Sequence, residues 1–339
     1  MSTTLLGIIA ALGAFTVTTV LGFFMIPWLR KLKFGQTILD IGPKWHKKKQ
    51  GIPTMGGIMF IIGVTVSFAA VYLTDYLTGK KIFPDGMATA DYDKMRLWGG
   101  IAMALLFAFI GFMDDYIKVV KKRNLGLTIK QKTFMQLLVA VAYTTVLYYS
   151  GSAVTYIPFI GKVDMGWFFW IFAICVVYGA INAVNFTDGL DGLCSSVTLT
   201  AAVSFIVMAA ILKFTGMSIL AAALAGGCAG FLVWNHYPAK VIMGDTGSMF
   251  LGGLVVALAF GINCPVILIP VGIIYIIEAL SDVIQITYFK ATHGKRIFKM
   301  APIHHHFEMS GWSEVKIVSV FTTINLIGAV IGILCVWFG

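Results

Sequence analysis

Charge is scarce in this chain. Only 12% of its 339 residues are charged, against 59% hydrophobic, and mean hydropathy is +0.89. A soluble domain carries about 25% charged residues, so a water-facing globule is excluded. Cysteine is sparse as well: Cys175, Cys194, Cys228, Cys264 and Cys335 are scattered, odd in number and contain no Cys-x-x-Cys pair. That excludes a disulfide framework and a thiolate zinc site, and leaves them as small apolar core residues. The opening Met-Ser-Thr-Thr has no basic segment ahead of its apolar run, so the first segment reads as a retained span and not a cleaved leader.

What the chain does have is long apolar runs, many approaching the ~20 residues that cross a bilayer as a helix. The reading is an all-α polytopic membrane protein, a single domain over 1–339. Ten spans fall at about 4–28, 55–76, 97–113, 133–150, 167–184, 193–212, 217–234, 247–262, 263–289 and 313–337. The runs are continuous and not alternating, which favours helices over a β-barrel. With the N-terminus outside, nineteen of the 25 Lys and Arg fall on the inner side and six on the outer, as the positive-inside rule requires. Both termini are then outside. The net charge of +10 is explained by an inner face against anionic lipid, so no nucleic-acid partner is expected. Between Gly151 and Gly166, β-branched and aromatic residues alternate, which predicts a short outer hairpin.

Five polar motifs remain, all in the inner loops (about 30–54, 114–132, 185–192, 235–246 and 290–312). Asp114 and Asp115 close the third span, where carboxylates oppose the helix dipole; Lys118 and Lys121 or a divalent cation must compensate. In Asn185-Phe-Thr-Asp188-Gly-Leu-Asp191-Gly, turn chemistry and ligand binding both remain open. Asn235 precedes a Met-Gly-Asp245-Thr-Gly-Ser stretch, where Asp245 either caps the eighth span or serves a phosphate at that helix N-terminus. Lys49 leads a glycine-rich entry to the second span. Four of the six histidines lie in or near Met300–Glu308, as His293, His304, His305 and His306; the run reads either as a metal tract or as donors to phosphate oxygens, with Arg296 and Lys299 close by. Several Asp without Cys suit a hard cation, and Mg²⁺ is held by one or two carboxylates plus substrate phosphates. Together the motifs describe phosphoryl transfer at a membrane surface. A transporter with a histidine gate is the alternative, although it would place ionisable groups nearer mid-membrane.

Asp114-Asp115-x-x-Lys118, Asn185-x-x-Asp188-Gly-x-Asp191-Gly, the Asn235 to Ser248 stretch and Met300 to His306 resemble the polyprenyl-phosphate hexose-1-phosphate transferases. The run Lys295–Glu308 is similar to the branch that acts in bacterial cell-wall synthesis. The resemblance implies ten spans in the bacterial cytoplasmic membrane with the active site on the cytoplasmic face. It implies UDP-N-acetylmuramoyl-pentapeptide as donor, undecaprenyl phosphate as acceptor, UMP as a product and Mg²⁺ as cofactor; a sister branch moves N-acetylglucosamine-1-phosphate instead. It further implies Asp245 as principal metal ligand, with Asp114 and Asp115 near the attacking lipid phosphate. Asp188 and Asp191 would orient nucleotide, with Asn185 and Asn235 beside it. Lys49, Lys118, Lys132, His304, His305 and His306 would neutralise the diphosphate. Two departures stand out: Ile52 where relatives usually have Thr, and Asp282 where they are usually apolar. Glu278, Ser281, Asp282 and Gln285 share one face of the ninth span by helical spacing, either holding nucleotide or packing. That span, at about 27 residues, would be ~40 Å long as one helix, with any bend at its polar inner end. The 36 glycines permit close helix packing and a homodimer.

Overall fold

The computed structural model describes residues 2–32, 51–79, 82–83, 89–120 and 125–339. Lys49 and Lys121 lie outside these residues. Hydropathy dictates the architecture. α1 (Thr3–Lys31), α2 (Gly57–Thr78), α3 (Ala90–Val120), α4 (Ile129–Tyr149), α5 (Phe168–Phe186), α6 (Leu193–Ile211), α7 (Thr215–Asn235) and α8 (Gly244–Gly261) follow the first eight predicted spans. α9 (Leu268–Val271) and α10 (Ile273–Ala291) replace the ninth, α11 (Ile303–Glu308) is short, and α12 (Glu314–Phe338) is the last. Eight described helices are long and apolar enough to cross a membrane, and a bent pair makes a possible ninth. α4 falls short of that test; it carries Gln131, Thr133, Gln136, Thr144, Thr145 and three tyrosines.

The ninth span is not one straight helix. Pro265–Val271 and Ile273–Ala291 meet at 84°. Pro270, without an N–H, sits just before the break, the usual cause of a sharp kink. The bend therefore falls near the beginning of the span and not at the polar inner end expected. α10 alone is 19 residues, or about 28 Å.

α8 is the axis of the bundle, with every residue from Thr246 to Gly261 buried. Its neighbours come close because small residues face it. A Cβ on Gly57 would stand 2.3 Å from the Gly247 Cα, so α2 and α8 touch backbone to backbone, the packing that association in lipid relies on. Phe60 packs on Phe231 and Phe250 just beyond that contact. The backbone of Pro53–Gly57 also pairs with Ile242 and Met243, through Ile242 N to Pro53 O and Gly56 N to Ile242 O, both 2.9 Å.

The hairpin is present as β1 (Val154–Ile157) and β2 (Gly161–Asp164), antiparallel with Val154 opposite Asp164. Asn263 ties it to the C-terminal end of α8, accepting from Tyr156 N and donating to Val154 O. Arg96, just ahead of the predicted third span, is buried within α3 and donates to Ser150 O at 2.8 Å. The polar motifs collect at the opposite end of α8.

Candidate active site

Asp114 and Asp115 lie inside α3, one turn before its end. Their cost is met across the bundle. The Asp115 carboxylate accepts from Asp245 N (3.2 Å), Thr246 N (2.9 Å) and the Thr246 hydroxyl (2.7 Å). A carboxylate opposed to one helix dipole thus serves the N-terminus of another, where free N–H groups and the dipole favour it. Gly244 makes this possible: its φ is +73°, and a Cβ there would stand 2.5 Å from Asp115 Oδ2.

Asp245 completes a trio with Asp114 and Asp115, each offering an oxygen within 4.8 Å of the others. Lys118 pairs with Asp114 and lies 3.1 Å from Asp245 Oδ2 and 4.0 Å from Asp115 Oδ1. Lys132, one turn into α4 behind the Thr128–Gln131 capping box, reaches Asp245 Oδ2 at 2.8 Å. Asn185 at the end of α5 donates to Asp245 Oδ1 at 3.0 Å and to the Ser248 hydroxyl at 2.8 Å. Three carboxylates against two ammonium groups leave a local excess of negative charge. Asp245 is the accessible one, its side chain 19% exposed against 5% and 4% for Asp114 and Asp115. All donors are oxygen, which fits a hard divalent cation.

The remaining predicted residues form two further groups. Asn235 accepts from Gly192 N (3.1 Å) and the Ser195 hydroxyl (3.3 Å) and donates to Val241 O (3.0 Å). Asp191 accepts from Ala239 N at 2.9 Å. These two are loop clamps, joining the 187–192 turn to the 236–243 segment. Asp188 lies half-buried in that same turn. The third group surrounds α11. His304 Nδ1 is 2.9 Å from Glu278 Oε2, and His305 Nδ1 is 2.7 Å from Glu308 Oε2. His306 accepts from Lys299 N at 3.1 Å, and Gln285 accepts from Phe298 N at 2.9 Å, pinning the α10–α11 connection. The three histidines take three different partners, so they do not form the metal tract weighed above. Among the described residues, Asp114, Asp115 and Asp245 form the one group of three or more His, Cys, Asp or Glu set to hold a metal.

Sequence reading gave no separate role to Thr246 and Ser248, which bind Asp115 and Asn185. Their place in the Asp245-Thr-Gly-Ser stretch was the available signal. Helical spacing put Glu278 and Ser281 on one face, and both are buried.

Comparison with known proteins bears on this pocket. Residues 97–263 match the family described as glycosyl transferase family 4, and residues 49–61 match phospho-N-acetylmuramoyl-pentapeptide-transferase signature 1. The phospho-N-acetylmuramoyl-pentapeptide-transferase of Acetivibrio thermocellus is 48% identical over 323 residues, covering 94% of this chain and 92% of the relative. Proteins of the same name from Listeria monocytogenes (45%) and Halalkalibacterium halodurans (44%) align over 327 residues, 96% of each chain.

Proposed function

The chain belongs to the phospho-N-acetylmuramoyl-pentapeptide-transferase family, and on that footing we propose a role for each group in its acidic pocket. The protein is a multi-pass membrane transferase that moves phospho-N-acetylmuramoyl-pentapeptide onto a lipid carrier. Transfer of N-acetylglucosamine-1-phosphate is not favoured, because relatives named for the muramoyl-pentapeptide align along nearly the whole chain. The donor is UDP-N-acetylmuramoyl-pentapeptide and the acceptor undecaprenyl phosphate. The products are undecaprenyl-diphospho-N-acetylmuramoyl-pentapeptide (lipid I) and UMP. The pocket faces the cytoplasm of a bacterial cell, in keeping with the basic inner loops.

The observation that carries this reading is Asp245 itself: the least buried member of the acidic trio, set at a helix N-terminus and met by two lysines and an asparagine. Asp245, with Asp114 beside it, would hold Mg²⁺, which supplies charge neutralisation across the donor diphosphate. Lys118 and Lys132 bind diphosphate oxygens and draw charge from the bridging oxygen as it departs. The lipid phosphate has a second pKa of about 6 and is mostly dianionic at neutral pH, so it needs little help from a base. One of its oxygens attacks the sugar-bearing phosphorus in line. The bond to the bridging oxygen breaks, and its electron pair leaves with UMP.

Direct attack is favoured over a carboxylate nucleophile by what the two aspartates already do. Asp115 spends both oxygens on α8, and Asp114 is held by Lys118 and Leu127 N. Asp188 orients the nucleotide, and Asn235 and Asp191 keep the turn that carries it in shape. Gln285 and His306 fix the α10–α11 connection, His305 pairs with Glu308 inside α11, His304 approaches the donor across Gly189, and Lys49 contributes positive charge to the diphosphate.

The test offers purified protein both UDP-N-acetylmuramoyl-pentapeptide and UDP-N-acetylglucosamine, with undecaprenyl phosphate and Mg²⁺. Muramoyl lipid and UMP as the products support the reading. Glucosaminyl lipid overturns the donor, and ion flux in liposomes without UMP restores the transporter.

A further inference from the structure

Glu278 is the most enclosed carboxylate among the described residues, fully buried within α10. Burying a carboxylate away from water is costly unless it is paired. The partner is His304 Nδ1 at 2.9 Å, itself on a side chain 1% exposed. Glu278 Oε1 and His304 Nε2 are both buried and have no hydrogen-bond partner among the described residues. Two orphaned polar atoms in one buried pair are unusual in a folded protein, where such groups are nearly always satisfied.

Direction gives this pair its meaning. The Nε2 atom lies against Gly189, where a Cβ would stand 2.1 Å away. Gly189 sits midway along the turn that leaves Asn185, on Asp245, and reaches Asp191, on Ala239 N. The free nitrogen is therefore aimed at the backbone that also carries Asp188. The His305 ring centre lies 4.1 Å from that of His304, Asp282 follows Glu278 by one turn, and Asp188 precedes Gly189 in the chain.

We infer that Glu278 is a positioning residue for transfer, holding the His304 ring so that Nε2 is presented across Gly189 to an N–H or O–H group brought by the donor nucleotide. The carboxylate accepts a hydrogen bond from the Nδ1–H, which leaves a lone pair on Nε2 in the neutral ring. A carboxylate on one ring nitrogen is how proteins fix the role of the other. Glu278 touches no substrate and acts through His304. This rests on the donor assignment above and adds to it a residue that sits outside the acidic trio.

The test combines kinetics with histidine-labelled ¹⁵N spectra of the full-length protein in detergent, the His304→Gln variant serving to assign the ring signals. Glu278→Ala should lower kcat at least a hundredfold with KM for the donor changed less than threefold. Glu278→Gln keeps an acceptor oxygen and should stay within about fivefold of the wild type. The double variant Glu278→Ala, His304→Gln should be no slower than the slower single one, as for groups acting as one unit. In the spectra, the Nε2 signal should show a bare lone pair, move on adding UDP-N-acetylmuramoyl-pentapeptide, and blur into mixed tautomers in Glu278→Ala. Losses that multiply, or a Glu278→Gln as slow as Glu278→Ala, would overturn the inference. So would an Nε2 signal indifferent to donor in protein that releases UMP. If Glu278→Ala does not fold, Glu278→Gln and the wild-type spectra decide alone. Wild-type protein that releases no UMP refutes the donor assignment instead.

Discussion

Asp115 on α3 caps α8 through Thr246, accepting from its backbone N–H at 2.9 Å and its hydroxyl at 2.7 Å. One member of the acidic pair that looks misplaced at the end of α3 is thus a structural part of α8, and it fixes where Asp245 stands. Thr246→Val removes one of three bonds to that carboxylate. It should cost about 1 kcal/mol, read as a lowered thermal midpoint in detergent, with UMP release reduced less than tenfold. Asp115→Asn replaces an acceptor oxygen with a donor facing N–H groups; the expected cost is about 2 kcal/mol, together with near loss of turnover.

Lys118 and Lys132 both reach Asp245, yet they are not equivalent. Lys118 also lies on Asp114 and Asp115, so Lys118→Ala leaves three carboxylates with one cation between them. Its rate should fall by more than ~100-fold, as for loss of a charge stabiliser at the reacting phosphate. Lys132→Ala removes a single contact and should raise KM for the donor more than it lowers kcat. Steady-state kinetics on the two variants separates these roles.

Gly189→Ala places a methyl group where His304 Nε2 lies. The ring or the turn must yield, and UMP release should fall at least tenfold while detergent-solubilised protein stays folded. Gly179→Ala on α5, where a Cβ would meet nothing within 4 Å, is the control. It should leave turnover unchanged and stabilise slightly, by up to ~1 kcal/mol.

Asn235 holds two loops with three hydrogen bonds. Asn235→Ala should destabilise by about 2–3 kcal/mol, since each lost bond is worth about 1 kcal/mol and leaves buried partners unpaired. Donor binding should weaken through the loops that Asn235 joins, without a direct hold of Asn235 on nucleotide. Calorimetric titration with the donor, beside a melting curve, checks both.

The spans were legible because a bilayer enforces apolar length, and the hairpin because glycines bracket an alternating run. The break at Gly272 was legible only in part: Pro270 marks a place for a kink, but the size of an 84° turn depends on what packs around it. The residue types of the acidic pocket could be read from Asp114, Asp115 and Asp245, but their division of labour could not. Asp115 finds its partners 130 residues away and Glu278 finds His304 26 residues away, separations that helical periodicity does not reach. Asn235 and Asp191 read as ligand groups, and the structure adds that they join two loops, which a sequence cannot show because it gives the polar group and not what satisfies it.

Asp245 is the residue proposed to carry the reaction. The direct measurement is UMP release by the Asp245→Asn variant in detergent, with undecaprenyl phosphate, UDP-N-acetylmuramoyl-pentapeptide and Mg²⁺, alongside donor binding and a melting curve for the same protein. A fall of at least ~1,000-fold in rate, with folding intact and donor affinity within tenfold of wild type, is the predicted result. A folded Asp245→Asn protein that still releases UMP at a tenth of the wild-type rate or more would contradict it.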